Sequence, residues 1–179
     1  ELREVQERLV EISGLVAESI DNATRAFNES DVSLAETVIA DDAKIDAACA
    51  ELDELAINIL ARQQPVARDL RIVVSALRIS ASLERMGDMS EHIAQLARYR
   101  FPDKVVPKSL RGTFKDMGAL DVVMARKLVE LLQTEDVTIA EAIRNEDASR
   151  YHERFADHAV SIAKKVQYLA TGDWVPTEV

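Results

Sequence analysis

Five glycines and four prolines in 179 residues leave this chain little with which to turn. Scarce turn chemistry favours long helices over a strand-rich fold that must reverse every few residues. A single cysteine, Cys49, excludes an internal disulfide framework and fits a reducing compartment. No run of about 18 apolar residues occurs, so no segment has the length to span a bilayer as a helix, and no signal-peptide pattern opens the chain. Basic residues are the minority, 22 against 32 acidic, for a formal charge of −10. That balance repels a phosphate backbone and argues against nucleic-acid binding. A cytoplasmic protein without membrane insertion is expected.

What the chain does have is an apolar share of 47% and a charged share of 30%. This is the balance of an all-α protein long enough to bury a core of its own. Leu9, Ile12, Leu15, Val16 and Ile20 recur at three and four, which predicts an amphipathic helix to about Asn28. A second helix is expected from a Ser33/Glu36 capping box to about Gln64, where Pro65 breaks it. A third runs from Val66 to about Arg100, and Pro102 to Pro107 reads as a linker. Beyond it, helices are expected from Ser109 to about Gln133, from about Thr138 to Asp147, and through ERFAD to about Thr171, closed by Gly172.

The order of elements repeats. DVSLAETVIADD, Asp31 to Asp42, aligns with DVTIAEAIRNED, Asp136 to Asp147, at an offset of 105. ERMGD, Glu84 to Asp88, aligns with ERFAD, Glu153 to Asp157, at an offset of 69, so 36 residues have no counterpart in the second copy. Tandem duplication of a helical unit predicts two antiparallel three-helix bundles. The expected division is a first repeat over 1–101, a linker over 102–107 and a second repeat over 108–179. The second would lack part of its middle helix and the start of its last one, near 147–148. Losing both inner halves of a hairpin exposes the apolar face they covered. We therefore read the gap as a segment missing from this sequence rather than a natural deletion.

Carboxylates interrupt the apolar stripes. Asp42 and Asp46 share a sector of the second helix with Ala35, Cys49 and Leu60. Glu84 and Asp88 share one of the third with Leu70, Val74, Leu77 and Ala81. Like charges at i, i+4 destabilise an isolated helix, so something must compensate them. A hard cation is one answer, since divalent metals take carboxylate oxygens. Pairing with Arg78 and Arg85 is another, and a solvated acidic face is a third. In the second copy Asp147, Glu153 and Asp157 remain, while the partner of Asp46 falls in the gap.

Other chemistries lack their residues. No Glu precedes His92, His152 or His158 by three, so the Glu-x-x-His pattern of di-iron bundles is absent. There is no phosphate-binding glycine loop or dinucleotide fingerprint, and Cys49 reads as a small core residue. The alternatives are a structural helical module without metal and a carboxylate-bridged metalloenzyme. The latter lacks a convincing second catalytic group.

The run LARQQPVARDLRIVVSALRISASLERMGDMSEHIA, Leu60 to Ala94, closely resembles the PhoU family of phosphate-signalling regulators, and ERFADHAVSIA resembles that family's second copy. The resemblance implies two three-helix bundles in pseudo-twofold relation, each with Glu(Asp)-x-x-x-Asp motifs that bind metal clusters. Carried over by position, the ligands are Asp42, Asp46, Glu84, Asp88, Asp147, Glu153 and Asp157, and the metal is Mg, Mn, Zn or Fe. It also implies a non-enzymatic cytoplasmic adaptor, a homodimer that links a phosphate ABC transporter ATPase to a sensor histidine kinase. Such an adaptor restrains the phosphate-starvation response and reaches the inner face of the membrane through its partners. Two departures stand out: the second copy has no QQPVARDLR, and His92 and Ser161 stand where the family often has Asn.

Overall fold

A computed structural model of the chain describes residues 1–146 and 153–171. The order is α1 (Leu2–Glu29), α2 (Val32–Gln63), α3 (Ala67–Arg100), a single 3-10 turn (Lys108–Leu110), α4 (Arg111–Thr134), α5 (Val137–Glu146) and α6 (Glu153–Thr171). Among the described residues there is no strand, so the fold is all-α as expected.

The spacing of apolar residues explains α1. Val5, Leu9, Ile12, Val16, Ile20 and Ala23 are all buried, and Val5 carries the stripe one turn earlier than the expected start at Leu9. Ser30 ends the helix in the left-handed region, φ 60°, with its N–H donating to Ala26 O. The cap of α2 is Asp31, not Ser33: the Asp31 carboxylate accepts from Leu34 N–H at 3.0 Å. Ser33 is already helical, so the expected capping box does not form. An Asp with extended backbone two residues earlier satisfies the same free N–H groups.

The second unit repeats this corner at the same offset of 105. Glu135 is left-handed, φ 55°, with its N–H on Leu131 O, and the Asp136 carboxylate accepts from Thr138 N–H at 2.8 Å. The remaining helices are short: α5 has 10 residues and α6 has 19, against 32 and 34 for α2 and α3. The gap inferred from the repeat therefore appears in the structure as a truncated hairpin. Gly172, expected to close α6, lies outside the described residues.

Helices α1, α2 and α3 pack mutually, as do α4, α5 and α6; α1 lies against α4 and α3 against α6. Gln6, early in α1, reaches Glu135 past the end of α4, while Phe27, late in α1, stacks on Phe114 early in α4. The two helices are therefore antiparallel. Asp21 pairs with Arg126, its own repeat mate, at 2.9 Å. One apolar core runs through both units, from Val5, Ile12 and Leu52 to Leu128, Ile143 and Ile162. At the α3 C-terminal end the first unit closes with small side chains, Ala23, Ala26, Ala35, Ala94 and Ala97, which bring the three backbones close.

Candidate metal centre

The turn at residues 64–66 folds α3 back along α2, so residues in the first half of α2 meet residues in the last half of α3. Asp42 and Asp46 lie one turn apart on α2, and Asp88 faces them from α3. One carboxylate oxygen from each lies within 4.8 Å of the other two. Gly87 makes the approach possible: a Cβ there would stand 3.2 Å from Ile45 Cδ1 and 3.4 Å from Asp42 Oδ1. A side chain there would require Ile45 and Asp42 to give way at the level of the acids.

Asp42 is the anomalous member. Its Oδ1 is buried with no hydrogen-bond partner, which carries a desolvation cost that natural structures rarely leave uncompensated. Burial, then the charges of Asp46, Glu91 and Asp88, push its pKa up to about 6, with His92 opposing. Glu84 is also raised, first by burial and then by Asp46, Asp88 and Asp53, with Arg85 opposing. Asp46 is exposed.

Among the described residues no ion pair joins Arg78 or Arg85 to any of these four acids; Arg85 acts on Glu84 only through its charge. A hard cation fits better. Two oxygens on one such ion, each at about 2.0–2.6 Å, stand no more than about 5 Å apart. The three oxygens meet that limit, and Asp42 has in addition a buried oxygen, Oδ1, without a partner.

Of the four acids expected in the first unit, the structure brings together Asp42, Asp46 and Asp88. Glu84 stands one turn away on α3 and contributes no oxygen to the group. Its expected stripe is not the buried face: Leu70 and Ala81 are exposed, and α3 buries Val73, Ala76, Ile79, Leu83 and Met86 instead. Asp147 lies outside the described residues, and Glu153 and Asp157 are placed only as backbone of α6. Cys49 is buried beside this group as expected, and burial pushes its thiol up to about 11. Sequence reasoning passed over Gly87, Glu91 and Asp53. The signal for the first was a glycine in mid-helix, in a chain with few, directly before an acid.

The PhoU domain pattern matches residues 9–97. A "Phosphate-specific transport system accessory protein PhoU homolog 2" of Mycobacterium tuberculosis is 36% identical, over 96% of this chain and 95% of its own. The chain belongs to the PhoU family. A PhoU homolog 1 of Mycobacterium leprae is 35% identical over 97% of this chain and 92% of its own. The crystal structure of PhoU from Pseudomonas aeruginosa superposes with a TM-score of 0.82 over 96% of this chain and 98% of that one, at 24% identity. That of the phosphate transport system regulatory protein PhoU from Streptococcus pneumoniae gives 0.80 over 99% and 98%, also at 24% identity. The alignment to the M. tuberculosis PhoU homolog runs over 203 positions, yet 96% of this chain is about 172 residues. About 31 aligned positions thus find no residue here, close to the 36 missing from the second repeat.

Proposed function

We propose that this PhoU-family chain is an accessory regulator of a phosphate-specific transport system, and that it holds metal on the α2–α3 seam of its first repeat. The observation that carries the metal reading is the convergence of carboxylate oxygens from Asp42, Asp46 and Asp88, in a group one of whose members, Asp42, also has a buried oxygen with no partner. The regulatory reading rests on the relatives, whose names tie them to phosphate-specific transport.

Asp42, Asp46 and Asp88 hold the cation, with Glu84 and Glu91 adding negative potential from the next turns of α3. When bound, a divalent or trivalent metal supplies the positive charge these acids lack and positions for an exchangeable anion. The protein's own part is rigidity: Gly87 and Ile45 pack closely between the two helices, and the corner at Ser30 and Asp31 caps the start of α2. We read the chain as an adaptor and not an enzyme, as its family resemblance implies. In this reading the adaptor is cytoplasmic and homodimeric, links a transporter ATPase to a sensor histidine kinase, and restrains the phosphate-starvation response. Its repeats divide at a linker over 102–107. Asp147, Glu153 and Asp157 form the corresponding partial site of the second repeat.

Metal content of chelator-free protein, by plasma mass spectrometry, tests this. Stoichiometric metal in the parent and background metal in Asp42→Asn/Asp88→Asn are expected. Equal metal in both proteins would remove this seam as the site. Background metal in both would leave a helical interaction module.

A further inference from the structure

The internal repeat extends past α6. At the offset of 69 that pairs ERMGD with ERFAD, Tyr99 falls on Tyr168, Val106 on Val175 and Pro107 on Pro176, without insertion or deletion. Val105-Val106-Pro107 therefore corresponds to Trp174-Val175-Pro176. The first of these triplets has a seat. Val106 is buried, and with Val105 and Pro107 it lies among Phe27 of α1 and Leu110 and Phe114 around the start of α4. Arg111 Nε donates to Val106 O at 3.1 Å, which ties the linker backbone there.

A matching cavity stands at the other end of the shared core. About 270 Å³ lie between the two units where the starts of α1 and α3 meet the ends of α4 and α6. Its walls include Val5, Leu9 and Leu132, which at the offset of 105 are the repeat mates of Leu110, Phe114 and Phe27. Ile72 of α3 and Val166 of α6 close it. An apolar cavity of ~150 Å³ takes a benzene ring, so this one has room for an indole. The shortened hairpin lacks the far parts of α5 and α6, whereas the near end of α6 lines this cavity through Val166 and Leu169. The opening is therefore not a product of that gap.

We propose that Trp174-Val175-Pro176 docks into this cavity and straps the end of α6 to the start of α1, as Val105-Val106-Pro107 ties the end of α3 to the start of α4. Residues 172–179 lie outside the described residues, but their point of departure is fixed: α6 ends at Thr171, and Leu169 already lines the cavity. Trp174 is three residues on, a reach of about 10 Å when extended, and Gly172 leaves the chain free to turn. Charge agrees with this occupant. Asp173 and Glu178 flank the triplet, while Arg3 and Arg68 stand exposed at the mouth. Glu135, the one acid of the lining, is engaged by Gln6. A separate ligand or partner would leave the Val-Pro correspondence without a reason. Docking here is independent of metal and of any regulatory role.

Trp174 is the single tryptophan of the chain, so its fluorescence reports the seat directly. Native protein should emit to the blue of the urea-unfolded chain and be quenched by acrylamide several-fold less. Ile72→Gln, which makes a half-buried wall of the cavity polar, should bring quenching towards the unfolded value with far-UV helicity unchanged. Because that variant can fail by unfolding, proximity is tested separately. Oxidation of Gln6→Cys/Val175→Cys at low protein concentration should give an in-chain disulfide. Arg25→Cys/Val175→Cys, with the exposed Arg25 about 28 Å further along α1, should not. A tryptophan as accessible in the folded protein as in urea would overturn the proposal and leave the cavity to another apolar ligand. Protection without the Gln6–Val175 crosslink would overturn it by seating the indole elsewhere, and a crosslink formed only between chains would overturn it in favour of a second copy's segment.

Discussion

Gly87 on α3 packs tightly against Ile45 on α2: a Cβ at 87 would stand 3.2 Å from Ile45 Cδ1 and 3.3 Å from Ile45 Cγ2, so a side chain there requires Ile45 to give way. Ile45 is itself buried in the core, so its shift disturbs other packed side chains. Gly87→Val is therefore expected to destabilise the fold by about 1–3 kcal/mol through overpacking. Removing a mid-helix glycine returns only a few tenths of a kcal/mol when the replacement is β-branched, so overpacking decides the sign. A fall in the urea midpoint reads this out. A midpoint equal to the parent's would mean that Ile45 repacks without cost and that the glycine does not set the helix spacing.

The elevated Asp42 pKa makes a signed statement about stability without metal. Its folded value is about 6 against an ordinary 3.8, so the folded state holds the proton more tightly than the unfolded chain. The burden of the charged carboxylate is fully present above about pH 6, and it is relieved as pH falls from 6 towards 4. In EDTA, Asp42→Asn should raise stability at pH 7.5 by about 1 kcal/mol, a figure discounted for partial solvent screening. The gap between variant and parent should close by pH 4. Urea midpoints of the two proteins at pH 7.5 and pH 4 measure it, and a variant less stable than the parent at pH 7.5 would contradict the assignment of strain to this carboxylate.

Repetition made the architecture legible from sequence. The corner at Ser30-Asp31 and its copy at Glu135-Asp136 were visible as an offset of 105 before any geometry, and both prove to be a left-handed residue followed by a capping aspartate. The choice of Asp31 over Ser33 as cap was not, because both residues can accept from a free helix N–H and only the backbone decides. Asp42, Asp46 and Asp88 were legible because i, i+4 acids on a partly apolar stripe need compensation. Helical periodicity places Glu84 with Asp88 along α3, but which oxygens converge depends on the crossing of α2 and α3, which a single-helix pattern does not contain; the structure groups Asp88 with Asp42 and Asp46 and leaves Glu84 one turn away. Gly87 was missed for the same reason, since its constraint comes from Ile45 on another helix.

Cys49 sits beneath the acidic seam, with its Sγ 3.9 Å from Ser80 O and its pKa pushed up to about 11 by burial, with Glu84, Asp53 and Asp46 adding to it. A thiol in that setting is neither ionised nor accessible at neutral pH. Native protein should react with a disulfide reagent such as Ellman's at least about a hundredfold more slowly than the urea-unfolded chain, because the thiolate is scarce and the path is closed. Mercury or maleimide labelling at the unfolded rate would show that the α2–α3 seam opens readily and would weaken the case for a rigid metal platform.

Metal binding and the Asp42 proton compete for one carboxylate, which ties the proposed site to pH in a way that an exposed acidic patch would not. A cation needs the ionised form, so binding must displace the proton whenever pH lies below about 6. Apparent Mn²⁺ affinity should change little between pH 8 and 7, then fall by about tenfold between pH 7 and 5 from this group alone. Asp42→Asn should bind far more weakly and lose that dependence. Calorimetric titration at pH 7.5, 6 and 5 in buffers of differing ionisation enthalpy reads affinity and proton release together. At pH 5 close to one proton should leave per ion bound, and almost none at pH 7.5. Affinity independent of pH across this range, in a protein that binds the ion stoichiometrically, would place the metal elsewhere than on Asp42.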